Sequence, residues 1–436
     1  MGIAIVFVVL MFAICAISLL FIKRYNDKVL VSTTTKELKK EISPTKSKKI
    51  ILSKDSFKRM FVSDGAYKLY SSLACILAWL IVGLIILICM SPSDAFYEFF
   101  VMLSGNVLNG SPSALKNLFA ILAKTAPLIC VGLSVIFSYK SGMFNIGVAG
   151  QYVIGMFGAL IFALQFKCPW YVCLLMSLVF GSIYGAIPGL LKAKFNVNEV
   201  LSGIMLNWIL YYVIGMLGKT VFNNKSFIDK LEPSYFRVLS GNALLPDMGL
   251  SSILPGMNIG IIIAIVIIII LQVVLNYTVF GFELKMSGLN RDAAKYCGVN
   301  QTKSIILALC IAGACAGIGG YIIYANPKYP LKFIYSSDSN SLLGTGFDGI
   351  SVSLIAQNSP VGCIISSIFL NFIEAASPSL KCASATYNLH YTELINAIII
   401  YTASFSSFMG LLLRKGNRKI LENFSRDKDL TEMEGR

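Results

Sequence analysis

The sequence predicts an all-α polytopic membrane protein, with a core of about ten helices and one extra transmembrane helix at the N-terminus. Three observations predict it. Hydrophobic residues fill 56% of 436 positions, charged residues only 14%, and mean hydropathy is +0.73, whereas a soluble domain carries about 25% charged residues. Apolar runs of about twenty residues recur, which matches the hydrocarbon thickness of a bilayer. Basic residues gather in the short polar stretches between those runs.

Taken in order, residues 2–22 form an apolar run without the basic leader of a secretory signal. Lys23, Arg24 and Lys28 follow it, so a retained anchor with its N-terminus outside is expected. Residues 23–68 are polar and basic and read as a cytoplasmic linker, either a flexible connector or a segment resting on anionic headgroups. The core occupies 69–413, in ten segments: 69–89, 118–139, 142–164, 169–191, 197–217, 259–279, 304–324, 346–357, 361–376 and 394–413. The eighth is short and interrupted by glycine. Its crossing is inferred from the tail, 414–436, whose Arg414, Lys415, Arg418 and Lys419 belong inside. Under this topology 27 of the 37 Lys and Arg residues lie on the cytoplasmic side, as the positive-inside rule requires. The longest outer loop, 218–258, has the length to dock an external protein.

Several function classes are excluded. The net charge of +15 is spread over loops and tails, with no basic helix and no aromatic platform for nucleic acid. The eleven cysteines, among them Cys75, Cys89, Cys130, Cys310 and Cys315, lie mostly inside apolar runs and form no C-x-x-C pair; such cysteines pack as small hydrophobes. With His390 the one histidine, neither a metal centre nor another cofactor is expected. Gly344-Thr345-Gly346-Phe347-Asp348-Gly349 matches a dinucleotide fingerprint by letter but lacks the surrounding βαβ unit. Gly215-Met216-Leu217-Gly218-Lys219-Thr220 resembles half of a phosphate-binding loop, yet Val213 stands where the opening glycine belongs. No catalytic residues are assigned, and the chain is not expected to be an enzyme.

Polar residues within apolar segments are costly and face a cavity or another helix. Glu199, Gly203, Asn207 and Tyr211 recur every four residues, so they share one face of the fifth segment. That stripe suits either a sugar or nucleoside rich in donors and acceptors, or contact with a neighbouring helix. Asn145 and Gln151 accompany Gly147, Gly155 and Gly158 in the third segment; the glycines point to close packing and the two amides to a pathway. Phe347 and Asp348 lie among the glycines of the eighth. The third and eighth segments hold corresponding places in two sets of five, a weak pointer to a transport site. The candidate pathway residues are therefore Asn145, Gln151, Glu199, Asn207, Phe347 and Asp348.

Between the sixth and seventh segments, residues 285–303 are polar and basic. A short helix is predicted over 291–296, with Asn290 as N-cap and Gly298 as its stop. Such a helix is a natural lever for a soluble partner.

These residues also carry a family resemblance. Ala126-Pro127-Leu128, Gly132-Leu133, Phe144-Asn145-Ile146-Gly147 and Gly150-Gln151 resemble permeases of the branched-chain amino acid, ribose and nucleoside importer superfamily. Asn198-Glu199-Val200, Ile204-Met205-Leu206-Asn207, Gly288-Leu289-Asn290, Asp292-Ala293-Ala294-Lys295-Tyr296 with Gly298, and Gly346-Phe347-Asp348-Gly349-Ile350 with Asn358-Ser359-Pro360 are similar to the nucleoside branch. The resemblance covers residues 118–376. It implies a subunit of an ATP-binding-cassette importer in the plasma membrane, paired with a second permease, either itself or a paralogue. Cytoplasmic ATPase subunits would drive it and an extracytoplasmic substrate-binding lipoprotein would feed it. The 285–301 segment would couple to the ATPase through Asn290, Asp292, Ala294, Tyr296 and Gly298. The implied substrate is a nucleoside, of purine type such as guanosine.

Two departures stand out. Ala149 occupies the place where the family often has Glu before the Gly-Gln pair, and the first 68 residues extend beyond the usual start. A ribose- or galactose-type sugar permease is the alternative within the class. An ion-coupled secondary transporter is the alternative outside it, and a carrier of that kind has no use for a coupling helix.

Overall fold

The computed structural model describes residues 114–221, 241–250, 257–326 and 341–383, with a few isolated positions. The helices below belong to one compact unit, Gly105–Ala385. The anchor, linker and tail and the segment predicted at 394–413 lie outside the described residues, as does the segment at 69–89 apart from isolated positions.

Regular structure in the described residues is helical: α1 Ala114–Lys140, α2 Val148–Leu164, α3 Trp170–Phe195, α4 Glu199–Thr220, α5 Ile259–Tyr277, α6 Val279–Leu289, α7 Arg291–Tyr296, α8 Gln301–Tyr324, α9 Ser341–Ile355 and α10 Gly362–Ala383. Five stretches are long and apolar enough to cross a membrane: Ile121–Lys140, Trp170–Phe195, Glu199–Leu217, Ile259–Tyr277 and Gln301–Tyr324. Each of the eight segments predicted between 118 and 376 coincides with a helix, but the boundaries move. The third begins at Val148 rather than 142, because Ser141–Gly147 fold as turns and loop. The sixth ends at Thr278, whose hydroxyl accepts from the Gly281 amide at 3.1 Å and opens a separate helix, α6. The eighth is one unbroken helix of 15 residues despite its glycines.

α1 and α8 form the centre. Ala126, Cys130, Leu133 and Ser134 on α1 are fully buried, as are Ala308, Ala312, Ala316 and Tyr321 on α8. α8 packs on α1, α2 and α3. Its contact with α3 is a seam of glycines: a methyl on Gly185 would lie 3.0 Å from Gly313 Cα, and one on Gly181 would lie 3.0 Å from Gly317 Cα. Real side chains do not approach backbone so closely, so only glycine lets these helices meet. Lipid tails are as apolar as leucine, and helices in a bilayer therefore associate through such close packing. The outward face of α5 carries Ile262, Ile265, Val266, Ile269, Ile270 and Val273, all exposed, which is the surface hydrocarbon solvates.

The loops gather at two ends. Residues 141–147, the α3–α4 turn and α6–α7 lie at one end, where Met143 packs with Ile305, Leu309 and Ala193. Residues 241–250 lie at the other, where the Tyr321 hydroxyl donates to the Ala243 carbonyl at 2.7 Å and the Leu245 amide to that of Ala325 at 3.1 Å. Lys140, Lys192, Lys194, Lys285, Arg291 and Lys295 all fall at the first end, which the positive-inside rule makes cytoplasmic.

Replacing Gly313 by valine should destabilise the protein by about 1–3 kcal/mol or prevent folding, as overpacking does. A lowered thermal midpoint of the detergent-purified protein checks this, with Ile269→Val on the lipid face unchanged.

Candidate functional site

Three of the six candidate pathway residues form one buried polar group around the start of α2. Because 141–147 is not helical, Asn145 lies in the loop that enters α2. Its Nδ2 donates to Gln151 Oε1 at 2.8 Å and to Ser134 Oγ at 3.3 Å, and Gln151 Nε2 returns a bond to Asn145 Oδ1 at 3.1 Å. This reciprocal amide pair ties the loop to the first turn of α2 and to α1. Both side chains are buried.

Asn207 reaches the same turn from α4. Its Oδ1 accepts from the Gly150 amide at 2.9 Å and its Nδ2 donates to the Ile146 carbonyl at 3.0 Å. The first N–H groups of a helix have no intrahelical partner, and Gly147, the N-cap of α2, has no side chain to offer one. Asn207 is thus the cap of α2, supplied by a neighbouring helix. Gly203, one turn earlier, allows the approach: a methyl there would lie 2.8 Å from the Gly147 nitrogen. Tyr211, one turn later, is half-buried, with its ring 6.0 Å from that of Trp208.

Glu199 stands apart from this group, at the cytoplasmic end. Its carboxylate is 2.9 Å from Lys192 Nζ and within electrostatic reach of Arg291. Arg291 Nη2 donates to the thioether of Met143 at 3.1 Å, and the Gln301 side chain donates to the Arg291 carbonyl. The base of α7 is thereby tied to the bundle. Asn290 Oδ1 accepts from the Ala293 amide at 3.1 Å as the N-cap, Ala294 is fully buried, and Gly298 takes φ +83° after the helix. Asp292 is exposed, and Leu289 and Tyr296 stand 83% and 93% clear of the chain. Two large apolar side chains therefore project from a charged connection.

Phe347 and Asp348 lie on α9, apart from the other four. Gly346 packs on Ala149 of α2 and Gly349 on Val131 of α1, which leaves Phe347 exposed and Asp348 half-buried. The Gly346 contact bears on the Ala149 departure. Ala149 is fully buried under α9, and a longer side chain there would need α9 to move. Sequence reasoning missed four polar residues where α1 meets α10: Lys124 and Thr125 on α1, Asn371 and Glu374 on α10. Asn371 Nδ2 donates to Thr125 Oγ1 at 3.1 Å, and Glu374 lies within electrostatic reach of both Lys124 and Asp348. The signal was available, since Lys124 and Glu374 are charges inside apolar segments.

Long apolar helices packed around a buried polar interior are those of a multi-pass membrane protein. The profile of the branched-chain amino acid transport system permease component matches residues 117–404; the chain belongs to that family and resides in the plasma membrane. It is 31% identical over 303 residues to the nucleoside ABC transporter permease protein NupB of Lactococcus lactis, covering 67% of this chain and 80% of the relative. To the guanosine ABC transporter permease protein NupP of Bacillus subtilis it is 30% identical over 302 residues, covering 68% and 84%. To the glucose ABC transporter permease protein TsgB13 of Haloferax volcanii it is 25% identical over 344 residues, covering 76% and 86%. No solved structure matches the chain.

Asn207→Leu leaves the Gly150 amide and the Ile146 carbonyl without their partner, at a cost of about 1–3 kcal/mol. The expected result is a lowered thermal midpoint together with reduced transport. A variant of full stability would show that Asn207 is not the cap of α2.

Proposed function

We propose that this chain is the membrane-spanning subunit of an ATP-driven importer that carries purine nucleosides, such as guanosine, into the cell by alternating access. The observation that carries the reading is the α6–α7 connection: a capped helix, α7, tied to the bundle at Arg291, with Tyr296 on it and Leu289 at the end of α6 presented to the cytoplasm. Exposed aromatic anchors of this kind dominate binding where they enter a pocket on a partner. The partner is a cytoplasmic ATPase, which hydrolyses the ATP; the 285–301 segment transmits its motion. A core of ten helices, spanning 69–413, pairs with a second permease. An extracytoplasmic binding lipoprotein delivers substrate at the outer end, where Trp170 and the 241–247 segment line a cleft of about 520 Å³. The anchor at 1–22, the basic linker at 23–68 and the tail at 414–436 flank that core.

The substrate class rests on the nucleoside and guanosine permeases that the chain resembles. Within the pathway, Phe347 and Asp348 are the side chains free to meet substrate. Asn145, Gln151 and Asn207 shape the wall behind them, and Glu199 closes its cytoplasmic end. A sugar substrate is the second reading, favoured by the likeness to the archaeal glucose permease.

Uptake of labelled guanosine in cells with and without this chain, in excess unlabelled ribose, tests the reading. Loss of ribose-insensitive uptake on depletion is expected; unchanged uptake would overturn the nucleoside assignment. Tyr296→Ala should weaken ATPase association by about tenfold or more, the scale of a lost hot-spot aromatic. Co-purification of the ATPase measures this, and the thermal midpoint of the permease alone should not move, because Tyr296 touches little of its own chain.

A further inference from the structure

We infer that Lys124, Asp348 and Glu374 line the aqueous route through the permease, and that the two carboxylates receive the hydroxyl and N–H donors of a passing nucleoside. The second half of this inference rests on the nucleoside reading; the first half does not.

The Asn371–Thr125 hydrogen bond sets the register between α10 and α1. Lys124 adjoins Thr125 and Glu374 lies one turn beyond Asn371, so the register brings an ammonium and a carboxylate to the same level. On α9, the packing of Gly349 on Val131 and of Gly132 on Val352 holds Asp348 about two turns along α1 from that pair, within electrostatic reach of Glu374. Each acidic group lies within electrostatic reach of the next charge.

Depth gives the cluster its meaning. At 1.5 Å per residue, Lys124 stands about 24 Å along α1 from Lys140 at the end where the basic residues gather, and Glu374 shares its level. Asp348 adjoins Gly349, which packs on Val131, about 14 Å along α1 from Lys140. The charges therefore lie at two depths within a hydrocarbon layer about 30 Å thick. Lys124 and Glu374 are nevertheless exposed on the surface of the chain, and Asp348 is half-buried. Charges at this depth do not face lipid; they border water or protein. Among the described residues, two carboxylates stand against one ammonium, which leaves acceptor capacity over. Phe347 beside them is 39% exposed and presents a flat face on which a heterocyclic base can stack. Acceptors flanking an aromatic face are the chemistry that recognises a nucleoside, whose sugar and base are both rich in donors.

The test introduces cysteine at position 374 in the assembled transporter and counts adducts by mass after treatment with a water-soluble, membrane-impermeant methanethiosulfonate. Glu374→Cys should gain one adduct over the parent chain, whereas Ile269→Cys on the lipid face should gain none. Saturating guanosine should slow the Glu374→Cys reaction severalfold. If Glu374→Cys does not assemble, Lys124→Cys serves in its place with the same expectation. No adduct in the assembled transporter overturns the inference, and an adduct only after dissociation assigns this face to the second permease instead. An adduct unaffected by guanosine keeps the aqueous route but removes the carboxylates from nucleoside recognition. Loss of the nucleoside reading itself would show separately, as unchanged guanosine uptake on depletion.

Discussion

Close backbone contact between α3 and α8 is the constraint on which the rest of this structure depends. In water, two helices are driven together by their apolar faces; between lipid tails that drive is absent. What holds α8 in the centre is surface match, and Gly181, Gly185, Gly313 and Gly317 provide it by leaving backbone to meet backbone. With α8 seated, α1 and α2 find their places on its other sides and α9 packs over them through Gly346 and Gly349. The polar residues are arranged around this scaffold and do not create it.

Those polar residues divide by whether their hydrogen-bonding capacity is already used. The hydrocarbon core supplies no water to satisfy a loose amide, so the non-helical entry to α2 requires partners from elsewhere. Asn145 and Gln151 satisfy each other, and Asn207 serves the turn from α4. Phe347 and Asp348 keep an open side. One set fixes the shape of the interior, and the other leaves an open polar and aromatic surface on α9. At the cytoplasmic end, Glu199 joins Lys192 and Arg291 in a charge cluster that links the base of α7 to α3 and α4.

Hydropathy makes the helices between 118 and 376 legible, because twenty-residue apolar runs have few other solutions in a bilayer. The short helix at 291–296 is legible for a different reason: its cap and its glycine stop are local chemistry. The start of α2 is not, since nothing between 142 and 147 forbids helix in isolation; the break depends on amides arriving from Gln151 and from Asn207 on another helix. α6 escapes for lack of contrast, because Val279 and Phe282 continue the apolar run of α5. Four-residue spacing places Glu199 and Asn207 on one face of α4, yet it cannot tell that one lies at the membrane edge in an ion pair and the other caps a neighbour. Lys124 and Glu374 were passed over because they share no segment and no spacing, and their proximity exists only after α1 and α10 have packed.

The two attachments of α4 have a mechanical consequence. A rod pinned at one point pivots, whereas a rod pinned at two points on the same side turns with whatever holds it. Glu199 is clasped by Lys192 at the cytoplasmic end, and Asn207 is fastened to α2 eight residues further on, about 12 Å along the axis at 1.5 Å per residue. Rotation of α4 about its own axis is therefore opposed at both points, by α3 through Lys192 and by the start of α2 through Gly150 and Ile146.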